Sequence, residues 1–183
     1  MTLIFGALKH FFRNKEDFMN YKFIDKKDYH ENKDEYINLI EKMYEGDNNK
    51  LANLEEIKQH LEFIFSEQYD NNAFLIFKIE DDRLISMVNF FEYNNCSNEW
   101  CLFSLFTNQH YRRKGYGEKI MTYALSKLKQ YKCSKLIVGI EEENIPSIRL
   151  HEKIGFKYAN CNWDDLAKGF PENHLGFIYD MEM

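Results

Sequence analysis

The sequence predicts an α/β domain of the α+β kind, in which antiparallel hairpins precede a βαβ crossover. Three observations carry that reading. Apolar residues recur at helical spacing in two early segments; the period then shortens to that of strands over 73–107; and a glycine-rich turn opens a helix that leads into one more compact apolar run. The chain has 183 residues, 44% of them hydrophobic and 30% charged, which is the balance and the length of one globular domain. Pro146 and Pro171 are its only prolines, so no Pro-rich linker divides it.

The elements follow in order. Tyr21–Asp25, "YKFID", reads as a first strand. Tyr36, Ile37, Leu39, Ile40, Met43 and Tyr44 recur at helical spacing and predict a helix over Lys33–Glu45, broken by "GDNNK". Leu54, Ile57, Leu61, Ile64 and Phe65 mark a second helix, with Asn53 as its expected N-cap. "AFLIFKIE" and "RLISMVNFFEY" form a predicted hairpin around "DDR". In "EWCLFSLFT" strict alternation puts Trp100, Leu102, Ser104 and Phe106 on one face and Cys101, Phe103, Leu105 and Thr107 on the other. Both faces are apolar, as in a central strand. Gly117, Ile120, Met121, Ala124, Leu125, Leu128 and Tyr131 fit one stripe of a helix, and "KLIVGIE" a strand. "PSIRLHEKIGF" reads as a short helix with Pro146 in its first turn and Gly155 as its C-cap, and "FKYAN" and "LGFIYDMEM" as final strands.

Met1–Leu8 is apolar but too short to span a bilayer, and it lacks a basic leader. We read 1–18 as an extension or an added amphipathic helix, ahead of a single domain over 19–183. Cys96, Cys101, Cys133 and Cys161 show no CxxC spacing, so free thiols in a reducing, cytoplasmic setting are expected, with no metal framework. The formal charge of −6 argues against a nucleic-acid partner and suits a cationic substrate such as an amine. No membrane partner is expected.

One local basic patch stands against that acidic background: "HYRRKGYGEK", where Arg112, Arg113 and Lys114 run into Gly115-Tyr116-Gly117 at a helix start. The first turn of a helix has N–H groups without intrahelical partners, and with the dipole they favour an anion. Two glycines remove Cβ atoms that would keep a phosphate away and permit backbone angles that converge the N–H groups. A Walker loop needs G-x-x-x-x-G-K-[ST], which is missing, and a dinucleotide fingerprint needs a third small residue where Ile120 stands. From the residues alone, a cationic turn with no ligand stays open.

Arg112, Gly115 and Gly117 match Q/R-x-x-G-x-G/A, and "EEENIPSIRLHEKIGF" follows about 25 residues later. Together they resemble the two signatures of the GNAT N-acetyltransferase superfamily, and the resemblance extends over Phe74 to Phe156. It implies a mixed, mostly antiparallel sheet of six to seven strands flanked by about four helices, with a V-shaped splay between the fourth and fifth strands. It implies acetyl-CoA as co-substrate, with no metal. The pantetheine arm would pair with strand backbone at Leu105, Phe106 and Thr107. The pyrophosphate would sit on N–H groups of Arg113, Lys114, Gly115, Tyr116, Gly117 and Glu118, and Asn144 and Ser147 would reach the cofactor arm, with a plain helix-entry residue as the alternative for Asn144. The family's tyrosine acid is replaced here by His151, which is either that acid or a structural residue. Glu99 and Glu92 are candidate bases, with solvated strand-end charges as the alternative. Phe90, Phe91, Tyr93, Trp100 and Phe103 are either core or acceptor wall. Cys101 is expected to be a buried core thiol.

The implied reaction is transfer of acetyl to a primary amine by direct attack in a ternary complex, with a small-molecule acceptor. A protein or peptide acceptor, and a non-catalytic acyl-CoA-binding module, are the alternatives. A homodimer is common in the family.

Overall fold

The computed structural model describes residues 20–45, 50–67, 72–94, 98–162 and 174–181. The expected extension over 1–18 lies outside them, as do Cys96 and "GDNN". The elements run β1 (Tyr21–Ile24), α1 (Lys26–Met43), α2 (Lys50–Ile64), β2 (Ala73–Glu80), β3 (Arg83–Asn94), β4 (Glu99–Thr107), α3 (Tyr116–Leu128), β5 (Lys135–Glu141), α4 (Ile145–Ile154), β6 (Lys157–Asn162) and β7 (His174–Asp180). The strands form one sheet in the order β1-β2-β3-β4-β5-β7-β6. Among the described residues only β4 and β5 pair in parallel. The mixed, mostly antiparallel sheet and its flanking helices are those the resemblance implies. Among the described residues no helix is long and apolar enough to cross a membrane.

Each sheet face carries its own core. On one, α1 and α2 place Tyr36, Ile40, Leu61 and Ile64 against Leu75, Phe77, Met87 and Cys101. On the other, α3 places Ile120, Met121, Ala124 and Leu128 against Ile76, Phe90, Trp100 and Leu136, with Ile148 and Ile154 of α4 at the margin. Burying one such Ile or Phe contributes about 1.5–3 kcal/mol. Phe90 and Trp100 belong to the α3 face, and Phe91, Tyr93 and Phe103 to the α1/α2 face, so the expected aromatic wall is split by the sheet.

Two helix starts differ from expectation. α1 begins at Lys26, not Lys33, because Asp25 caps it: its Oδ1 accepts the Asp28 N–H at 2.9 Å. Its first half is polar apart from Tyr29, and the backbone leaves helical angles at Asn32 (φ −130°, ψ 22°). The Asp28 carboxylate spans that break, accepting from Asn32 Nδ2 (2.9 Å) and from the Tyr36 hydroxyl (2.8 Å). α2 starts at Lys50, which puts Asn53 inside the helix rather than at its cap. The β2–β3 hairpin is as expected: Asp81 and Asp82 both have positive φ (49° and 57°), as a two-residue type I′ turn requires.

The strict alternation expected in β4 fails at its centre. Val88 pairs with Leu105 but Phe90 pairs with Leu102, so β4 carries one extra residue there. Cys101 and Phe103 face α1 and α2, yet so does Phe106, while Leu105 faces α3. Such a bulge bends its strand, and β4 leaves β5 at this point. Their parallel pairing runs from Glu99–Lys135 to Leu102–Val138 and stops. Beyond it, β4 stays paired to β3 as far as Thr107, and β5 to β7 as far as Glu141. Each half of the sheet carries its own strand away, and the V-shaped gap follows.

Candidate active site

The gap exposes one edge of β4. Asn108 N–H donates to Ile85 O across β3 (2.9 Å), and pairing alternates along an antiparallel ladder. Phe106 therefore turns its peptide groups toward β3, where its carbonyl also accepts from Ser86 Oγ at 2.7 Å. Leu105 and Thr107 turn theirs toward the gap. The Thr107 carbonyl is occupied, since Arg112 Nε donates to it at 3.0 Å.

The glycine turn closes the wide end. Asn108 Oδ1 accepts the His110 N–H (3.0 Å) and caps a short 3-10 turn, while its Nδ2 donates to Met43 O at the end of α1 (3.0 Å). Arg113 (φ 61°) and Gly115 (φ 80°) adopt left-handed backbone, and Gly115 starts α3. The first helical bond at this end is Lys119 N–H to Gly115 O, 3.0 Å. The N–H groups of Arg113, Lys114, Gly115, Tyr116, Gly117 and Glu118 meet no acceptor among the described residues. Those donors are what a phosphate needs.

The side chains around the turn have separate tasks. Arg112, expected to bring charge to a phosphate, folds back over the Phe106 ring (5.2 Å) and braces the strand end. Arg113 and Lys114 are exposed. Tyr116 donates its hydroxyl to Glu80 Oε2 at 2.9 Å, and burial, with that carboxylate second, pushes its pKa up to about 12. The Glu118 carboxylate is held by Lys153 Nζ of α4 at 2.6 Å, which offsets a negative charge beside the turn. Gly115 is needed for its backbone angle, since a Cβ there would meet nothing within 4 Å. Gly117 has a reason the sequence did not show: a Cβ would come within 3.0 Å of Leu150 Cδ2 on α4. Its missing side chain lets the two helices close on each other.

α4 starts just past β5. Asn144 caps it, its Oδ1 accepting the Ser147 N–H at 3.2 Å, and Gly155 (φ 113°) ends it. His151 lies in the last turn and is 1% exposed. Its Nδ1 donates to Ser147 O at 2.8 Å, with Ser147 Oγ at 3.4 Å. Its Nε2 is buried and has no partner among the described residues. Burial lowers the pKa, and the Ser147 carbonyl only partly offsets that. The ring is thus neutral near pH 7, with its one proton already committed to a carbonyl, which suits a structural residue better than an acid.

Glu99 and Glu92 stand at the closed end of the V, away from the turn. Glu99 pairs with Lys135 Nζ at 2.7 Å, on the neighbouring strand. Glu92 accepts from Asn72 Nδ2 at 2.8 Å. The gap, the glycine turn and the start of α4 come together, whereas these two carboxylates are tied elsewhere. Cys101 is fully buried, and burial, with Glu99 second, raises its pKa well above the thiol range. It stays protonated and is no nucleophile. Among the described residues no three metal-ligating side chains lie together.

Two polar side chains near the bulge carried little signal in the sequence. Asn89 is fully buried on β3, and its Oδ1 accepts the Ser104 N–H at 3.3 Å. His60 of α2 stacks on Phe103, with ring centroids 3.5 Å apart, and its pKa falls to about 3 through burial. His60 sits three residues after Ile57 and four before Ile64, on the edge of the apolar stripe, so its direction was readable although its task was not.

Known proteins agree with this architecture. The profile of the acetyltransferase (GNAT) family matches residues 33–156. A GNAT-family protein from Desulfovibrio desulfuricans superposes with a TM-score of 0.68 at 13% identity, covering 88% of this chain and 99% of that one. The PaiA N-acetyltransferase of Thermoplasma acidophilum, solved with coenzyme A, superposes with a TM-score of 0.57 at 12% identity, covering 87% and 98%. At these identities the likeness is one of fold. In sequence, the spermine/spermidine N(1)-acetyltransferase of Bacillus subtilis strain 168 is 35% identical over 54 residues, 29% of this chain and 36% of that protein. A protein named as a probable spermine N(1)-acetyltransferase in Bacillus subtilis subsp. natto (strain BEST195) is 37% identical over the same length. The match thus spans about a third of those relatives. With the profile covering most of the chain and the splayed sheet in place, this chain belongs to the acetyltransferase (GNAT) family.

Proposed function

We propose that the chain transfers acetyl from acetyl-CoA to a primary amine of a small molecule, by direct attack within a ternary complex, and that polyamines are the first class to test. The observation that carries this reading is the row of unpartnered N–H groups from Arg113 to Glu118, set at the mouth of a gap that bares Leu105 and Thr107 of β4. The turn would hold the pyrophosphate, and the strand edge the pantetheine amides. Phe106 contributes through its ring and its bond to β3 rather than through free peptide groups. Asn144 and Ser147, engaged in capping α4, would shape the wall beside the cofactor arm.

The amine must shed its proton to attack, since it is mostly charged near pH 7. Its nitrogen then bonds to the thioester carbon, the C–S bond breaks, and the thiolate leaves and takes a proton. Much of the acceleration comes from holding both substrates in one gap. The acid that serves the thiolate is not His151 in its resting state, and water is the simplest donor. Glu141, Glu142 and Glu143, exposed at the end of β5, would draw in a cationic acceptor. The net charge of −6 and the two polyamine-acetylating relatives favour the same class.

The test is thiol release from acetyl-CoA with spermidine, spermine, amino acids, aminoglycosides and peptides. Release that rises with spermidine or spermine is expected. Release with peptides alone would move the acceptor to proteins, and coenzyme A binding with no release for any amine would leave a non-catalytic module. A second expectation concerns charge. Replacing Arg113 and Lys114 by Ala together should weaken coenzyme A binding by about tenfold or more and flatten its salt dependence. An unaltered salt profile in calorimetry would place the phosphates elsewhere.

A further inference from the structure

The glycine turn has little of its own to hold it. Arg113 and Gly115 both adopt left-handed backbone, a region that an arginine enters at a cost. The N–H groups from Arg113 to Glu118 bond to no acceptor among the described residues. A turn whose donors are kept free for a ligand must be fixed by side chains. One such side chain is that of Tyr116, the first residue of α3, whose hydroxyl crosses to the sheet and donates to Glu80 Oε2 at 2.9 Å. Glu80 is a firm post. It ends β2, pairs with Arg83 across the Asp81-Asp82 turn, and holds its Oε1 3.4 Å from Lys78 Nζ. Lys78 is 3% exposed, and its Nζ sits over the Tyr21 ring at 4.7 Å; that ring stacks on Tyr123 of α3 at 4.4 Å. A chain of contacts thus runs from the core between β2 and α3, through Lys78 and Glu80, to the turn. Charge is balanced along it. A bare carboxylate beside a seat for a diphosphate would repel the ligand, yet Glu80 and Glu118, both tied to this helix start, each carry a lysine, Lys78 on one and Lys153 on the other.

We propose that Glu80 is a positioning residue for the coenzyme: by accepting the Tyr116 hydroxyl it fixes the N–H groups of the glycine turn in the arrangement that receives the diphosphate, while Lys78 balances its charge. This rests on the reading of the turn as the diphosphate seat. Glu80 acts through Tyr116 and meets no reacting atom. The bond suits a lasting tie, since a hydroxyl donating to a carboxylate is among the stronger and better-directed hydrogen bonds. Burial, with the carboxylate second, pushes the Tyr116 pKa up to about 12, so the hydroxyl keeps its proton and donates throughout the neutral range. Donors ordered before the ligand arrives bind it more tightly, because the ordering is not charged to binding. The Tyr116 ring contributes as well: it meets the Tyr111 ring edge-on at 5.9 Å and lies 5.8 Å from Lys119 Nζ.

Calorimetry with coenzyme A tests this on a small set of variants. Tyr116→Phe keeps the ring and removes the hydroxyl, and it should raise the Kd for coenzyme A by about tenfold. Glu80→Ala should raise it at least as much. Adding Tyr116→Phe to Glu80→Ala should then change the Kd by less than about twofold, since the bond is already gone. Glu80→Gln keeps an oxygen that accepts the hydroxyl and should regain most of the affinity lost in Glu80→Ala. Because Tyr116→Phe removes no charge, binding should weaken at every salt concentration with the wild-type slope, unlike the double replacement of Arg113 and Lys114. A wild-type Kd in Tyr116→Phe, whatever its melting temperature, would overturn the proposal, for it would leave the bond a role in folding alone. So would a further tenfold loss on adding Tyr116→Phe to Glu80→Ala. Wild-type protein that does not bind coenzyme A would overturn the reading of the turn itself, so the two failures are told apart.

Discussion

Gly117→Val is expected to reduce coenzyme A affinity by about a hundredfold or more while the protein stays folded. The cause is local crowding. The first added carbon would lie 3.0 Å from Leu150 Cδ2 and 3.8 Å from Thr107 Oγ1, and valine adds two methyls to it. Overpacking of this kind costs about 1–3 kcal/mol, and what the Leu150 side chain does not relieve by turning aside is relieved by pushing α4 from α3. That displacement moves the very N–H groups that face the gap, so binding suffers more than folding. The cause can be checked by rescue: Leu150→Ala should restore much of the affinity lost in Gly117→Ala. Calorimetry and thermal melts read both quantities. Unchanged affinity in Gly117→Val would show that the coenzyme does not use this turn. Failure of Leu150→Ala to rescue would locate the requirement at the ligand instead of at α4.

Acid should destabilise this protein from pH 6.5 downward. His60 and His151 both have folded pKa values below the ordinary imidazole value of 6.5, in each case chiefly through burial. Above pH 6.5 neither is charged in the folded or the unfolded chain, and no penalty arises. Below it the unfolded chain takes up protons that the folded chain refuses, so stability falls with pH. Each such group contributes about 1.4 kcal/mol per pH unit once the unfolded form is fully protonated. For His60 the decline continues to about pH 3. Against a total of about 5–15 kcal/mol, a loss of this size from His60 alone is a sizeable fraction, and His151 adds to it in the same direction. Urea unfolding at pH 7.5, 6, 5 and 4.5 measures the slope; His60→Phe should flatten it by about one proton, and His151→Phe should flatten it in the same direction. A slope that neither substitution alters would mean that both rings titrate in the folded protein as they do in water.

The glycine turn was legible because its chemistry is local. Left-handed backbone at Gly115, cations at Arg113 and Lys114 and an apolar stripe directly behind them lie within a few residues of one another. The α4 caps were legible for the same reason, as Asn144 and Gly155 act on their own helix. What failed depends on distant partners. The bulge in β4 exists only relative to β3, so alternation read along one strand put Phe106 on the wrong face. The first half of α1 has one inward side chain and a break at Asn32, too little for a periodic signal. Glu99 was visible as a charge, but its partner Lys135 stands 36 residues away. The packing task of Gly117 was likewise hidden, because Leu150 stands 33 residues further on.

An unpaired strand edge ordinarily invites another polypeptide to add to the sheet. Here the bare edge of β4 looks across at β5, a strand of its own molecule, and the slot ends blindly where Leu102 meets Val138. A second protein would have to present a free tip to thread it, whereas a slender flexible tether enters from the wide end and lies down as a substitute strand. The divergence therefore does two things at once: it offers main-chain pairing to a small guest and denies the same edge to aggregation.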